Sequence, residues 1–108
     1  MPTLTTQNHA LYQAQRAIKA LNDSDFATLM RSVELVVQAQ AFSRQGLQYA
    51  LRLSLETTNL MTEALEAMGI IVGGPSERRT VLTAPDRLTM LLAELHSVRV
   101  VEPVANQA

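Results

Sequence analysis

The sequence predicts a mainly α-helical fold: an antiparallel helical hairpin with one long helix, a short β-hairpin or extended arm, and a C-terminal helix. Three observations carry this. Between Pro2 and Gly69 the only glycine or proline is Gly46, and helix interiors are where those residues are scarce. Apolar residues recur at three-and-four spacing through the same stretch, which lines one face of a helix. Turn formers concentrate instead in Gly73-Gly74-Pro75-Ser76.

The first helix is expected from Thr6 to Leu21. Leu4, Leu11, Ala14, Ile18 and Leu21 form its stripe, and Thr5 or Thr6 can cap it, because a hydroxyl there accepts from an unpaired backbone N–H. Asn22-Asp23-Ser24 ends it, with Asp23 or Ser24 placed to cap the next helix. So short a connection sets the two helices antiparallel.

From Asp25 to Met68 the text reads as one helix with room for a kink at Gly46, which costs only about 1 kcal/mol relative to alanine. At 100° per residue, Arg31, Glu34, Arg52, Glu56, Glu63 and Glu66 share an arc of about 100°. Leu29, Val33, Val36, Leu47, Leu51, Met61, Leu65 and Met68 lie broadly opposite. Such a helix would be roughly 66 Å long, whereas a compact domain of this length has a radius of gyration of about 13 Å. The overhang would leave apolar surface in water, so these eight residues are expected to form an interface in a homodimer or larger assembly.

After Gly69, a helix C-cap candidate, Ile70-Ile71-Val72 and Thr80-Val81-Leu82 flank the turn and can pair as a hairpin spanning 69–83. Thr83-Ala84-Pro85-Asp86 then opens the last helix with a Thr cap and an early proline. Leu88, Leu91, Leu92, Leu95 and Val98 make its stripe, and Val98–Val101 reads as a further short strand ended by Pro103. Leu29, Val33, Val36, Leu51, Leu65, Leu91 and Leu95 are expected to be buried. Residues 1–108 form one domain, with 1–5 and 104–108 frayed.

Composition narrows the function. The chain has 108 residues, no cysteine, and 9 basic against 10 acidic side chains. That excludes disulfides, thiolate chemistry and zinc ribbons, and argues against an affinity resting on phosphate neutralisation. No apolar run approaches a membrane span, and MPTLTTQNHA predicts no secretory signal, so a cytoplasmic location is expected. Eight of the nine basic residues are arginine, a bias associated with GC-rich bacteria and their phages.

Candidate chemical groups are few. His9 and His96 lack a partner at helical spacing, and Glu63 with Glu66 reads as part of a solvated acidic stripe. Gly73 to Thr80 fails the phosphate-loop pattern and contains no lysine. Ser43 and Thr80 lack a nucleophile's sequence context, and Asn22-Asp23-Ser24 reads as a turn rather than a glycosylation acceptor. Tyr12, Phe26, Phe42 and Tyr49 read as core or interface residues. No catalytic, cofactor-binding or metal-ligating set emerges, and Arg78 and Arg79 are left as a contact for a partner or nucleic acid. The expected function is a non-enzymatic, homo-oligomeric interaction protein, an adaptor, chaperone or regulatory partner that binds itself and another protein. The alternative is a small dimeric DNA-binding regulator.

Overall fold

The computed structural model describes residue 16 and residues 18–101. It is mainly helical with a small antiparallel sheet, in the order α1 (Asp23–Ala39), β1 (Phe42–Ser43), α2 (Arg44–Leu51), α3 (Leu55–Ala67), β2 (Arg78–Arg79), a 3-10 turn (Pro85–Arg87) and α4 (Leu88–Val101). Ahead of α1, residues 16, 18 and 19 are helical and a turn follows at Ala20. Most of the first predicted helix, with Thr5, Thr6, His9 and Tyr12, lies outside the described residues. No helix among them is long and apolar enough to cross a membrane.

The single helix expected over Asp25–Met68 is instead three. Gln40 and Arg52 both adopt left-handed conformations, with φ of 52° and 55°, and each ends a helix. Neither is the Gly or Asn that usually signals such an ending. The restarts follow ordinary chemistry: the Ser43 hydroxyl accepts from the Gly46 N–H at 3.0 Å, and the Ser54 hydroxyl from Thr57 N–H at 3.0 Å. Gly46 is therefore not a kink. It sits in the first turn of α2, where a Cβ would come within 2.6 Å of the capping Ser43 Oγ. The cap of α1 also moves by one residue from expectation, to Asn22, whose Oδ1 accepts from Asp25 N–H at 2.7 Å.

α3 ends as expected at Gly69. Ile70 N–H reaches back to Leu65 O and Gly69 N–H to Glu66 O, both at 3.0 Å, the paired bonds of a Schellman ending. Gly69 has φ +74° with no neighbour near a Cβ position, so Gly69→Ala should cost backbone strain alone. The expected loss is about 1–2 kcal/mol, read from chemical denaturation, with Gly69→Asn costing less.

The hairpin pairing was legible. Ile71 and Val81 form an antiparallel bridge, with Val72 N–H donating to Thr80 O at 3.0 Å and Leu82 N–H to Ile70 O at 2.7 Å. The same returning segment also pairs through β2 with β1, Phe42 opposite Arg79 and Ser43 opposite Arg78, a long-range register no local pattern encodes. Two C-terminal expectations change. Val98–Val101 is helical, the last turn of α4, and Thr83 does not cap: Ala84 holds that position without a side-chain bond.

α1 is the central element and packs against α2, α3 and α4. It contributes Leu29, Val33, Val36 and Val37 to the core, beside Leu47 of α2, Met61 and Leu65 of α3, Ile70 and Ile71 of the arm, and Leu88 and Leu95 of α4. Leu51 and Leu91 are half-buried against it. Three polar residues enter the core because their hydroxyls donate to carbonyls one turn back: Ser32 to Thr28 O, Thr58 to Ser54 O and Thr62 to Thr58 O, each at 2.8 Å. The Cα radius of gyration is 14.0 Å, so the overhanging helix that motivated self-association is absent.

Candidate functional site

The break between α1 and α2 creates the site. With α1 ended at Ala39, the Gln40 side chain ties the corner down, its Nε2 donating to Val37 O and to Thr83 O, both at 2.8 Å. The chain then runs extended through Phe42 and Ser43 before α2 begins. Between α1, β1 and α2 lies an open, mostly apolar groove of about 320 Å³. Leu35, Val36 and Ala39 form one wall, Phe42 and Leu47 contribute apolar side chains, and Ala41, Gly46 and Ala50 leave it shallow and accessible. Arg78, opposite Ser43 across the sheet, is the one charged side chain lining it.

The groove's polar edge is largely satisfied. At the start of α2, Gln45 N–H donates to the Glu77 carboxylate at 2.5 Å and Arg44 N–H to Glu77 O at 3.1 Å. Arg44 Nε is buried without a hydrogen-bond partner. Arg79 pairs with Glu66 and Arg99 with Asp23, and neither Arg44 nor Arg78 takes part in these ion pairs.

The arginine pair expected to act together is divided by the strand alternation that sends adjacent side chains to opposite faces. Arg78 is exposed. The Arg79 side chain is only 5% exposed, 3.7 Å from Glu66 and bonded through Nε to Ser76 O at 2.9 Å. Glu66 Oε2 also accepts from Gly74 N–H at 2.8 Å. Arg79 and Glu66 thus fasten the arm to α3 rather than face a partner.

The other candidates fall elsewhere. Leu29, Val33, Val36, Leu47, Met61 and Leu65, expected at an oligomer interface, are buried inside the chain's own core, with Leu51 and Met68 partly buried against it. Glu63 lines a separate hollow of about 560 Å³ with Asp25 and Leu60. Among the described residues no group of three or more His, Cys, Asp or Glu is placed to hold a metal ion. His96 is exposed and meets Phe26 edge-on at 5.6 Å between ring centroids. Sequence reasoning passed over Leu35, Ala39, Ala41 and Ala50 as site residues, and read Phe42 only as a core or interface residue. The available signal was Ser43 as a helix cap, which would have opened the corner they line. No family model, curated protein or solved structure matches the chain.

Proposed function

We propose that the protein is a non-enzymatic interaction protein that seats an apolar segment of a partner protein in the groove between α1, β1 and α2. The observation that carries this reading is the groove itself: an apolar floor in which Val36, Phe42 and Leu47 join the core, with exposed small residues that let another backbone approach. Helix-in-groove recognition uses surfaces of this kind, with anchors spaced three and four apart. The self-association expected from an overhanging helix loses its premise and is not part of the proposal.

The test begins with peptides selected on the immobilised protein from a random display library. Titrating one into isotopically labelled protein should move the amide signals of Ala39, Ala41, Gly46 and Ala50. Ala50→Trp should fill the groove, leave the thermal melt near wild type because Ala50 is exposed, and abolish binding. Shifts centred elsewhere, or binding indifferent to Ala50→Trp, would overturn the reading.

A further inference from the structure

We infer that the partner segment is an acidic amphipathic helix, with apolar anchors entering the groove and a flanking carboxylate meeting Arg78; this rests on the groove being a partner site. The argument is charge complementarity. Arg78 is exposed, is the single charged residue lining the groove, and takes part in neither the Arg79–Glu66 nor the Arg99–Asp23 ion pair. Arg44 adjoins Ser43, which lies opposite Arg78 across the strand pair, and it too has no ion pair.

The nearby acid forms no ion pair with Arg78 or Arg44. The Glu77 carboxylate is held at the start of α2 by Gln45 N–H, where a negative group complements the positive end of the helix. Arginine's fork of donors suits a carboxylate at the edge of an apolar contact. The groove is also the size of a pocket for one or two side chains, near the lower limit of about 300 Å³ for ligand sites. A short helix with two anchors matches it better than an extensive flat interface. Ala39, Ala41, Gly46 and Ala50 remove the side-chain bulk that would hold such a helix away.

Two synthetic peptides of equal length decide the matter, each helical with leucines at three-and-four spacing, one flanked by Glu and the other by Lys. Fluorescence anisotropy against wild type, Arg78→Glu and Ala50→Trp gives distinguishable outcomes. The inference expects the Glu peptide to bind wild type, to weaken about fivefold to tenfold with Arg78→Glu, and to weaken further as salt rises. The Lys peptide should show the reverse preference. If both peptides bind equally, ignore Arg78→Glu and are lost with Ala50→Trp, the acidic partner is overturned while the groove reading stands. If neither binds, or Ala50→Trp changes nothing, both are overturned. Concentration-dependent self-association lost with Ala50→Trp would assign the groove to a second copy and overturn both as well.

Discussion

Leu65→Ala is expected to lower stability by about 2–5 kcal/mol, the cost of a cavity where a fully buried leucine stood. Leu65 is 0% exposed, enclosed by the core that Leu29, Val33 and Met61 share. Because these neighbours belong to the same chain, the loss should be independent of protein concentration in urea unfolding. Leu55→Ala supplies the contrast. Leu55 is equally apolar but 61% exposed, and its truncation should stay within about 0.5 kcal/mol. A midpoint for Leu65→Ala that moves with protein concentration would instead place the leucine between subunits and restore the long-helix assembly.

The second large effect is expected at Arg99. Its guanidinium reaches from α4 to the end of the helical residues ahead of α1, donating through Nη1 to Ile18 O at 3.1 Å and Leu21 O at 2.6 Å. Ile18 O also accepts from Leu21 N–H at 3.2 Å, whereas Leu21 O lies past the end of that helical segment, where a carbonyl lacks an intrahelical donor. The same guanidinium lies 5.0 Å from the centre of the Phe26 ring, and the side chain is 20% exposed. Arg99→Met keeps the aliphatic stem and removes the donors, with an expected loss of about 1.5–3 kcal/mol. Asp23 also accepts from Arg99, at 2.7 Å, but its side chain is fully exposed. Asp23→Asn should therefore leave the melting temperature near wild type. Equal losses for the two variants would show that the ion pair, and not the helix-end carbonyls, holds α4 in place.

The core positions were the most legible part. Leu29, Val33, Val36, Leu65 and Leu95 are buried as the apolar spacing predicts, because each helix needs only its own period to choose a face. Gly69 and the pairing of Ile70–Val72 with Thr80–Leu82 were readable for the same local reason. The groove was not. Its walls come from three segments brought together by a corner, and the corner depends on Gln40 occupying a left-handed conformation. Such a residue costs about 1–2 kcal/mol, and at Gln40 that cost is offset by a hydrogen bond to Thr83 O, 43 residues away. Arg78 and Arg79 were likewise read as a pair because sequence adjacency hides the alternation of a strand until its partner is known.

What the sequence determined by itself was the helical class, the faces of the helices, the Gly69 ending and the turn at Gly73–Ser76, all set by interactions within a few residues. The tertiary structure decided where Asp25–Met68 breaks, which neighbour each apolar face meets, and which of two adjacent arginines is left in water. Those outcomes depend on contacts between distant segments. The three helices keep a shared periodicity because each buries one face in a common core, so the pattern that looked like a single long rod was the record of three short helices packed around one interior.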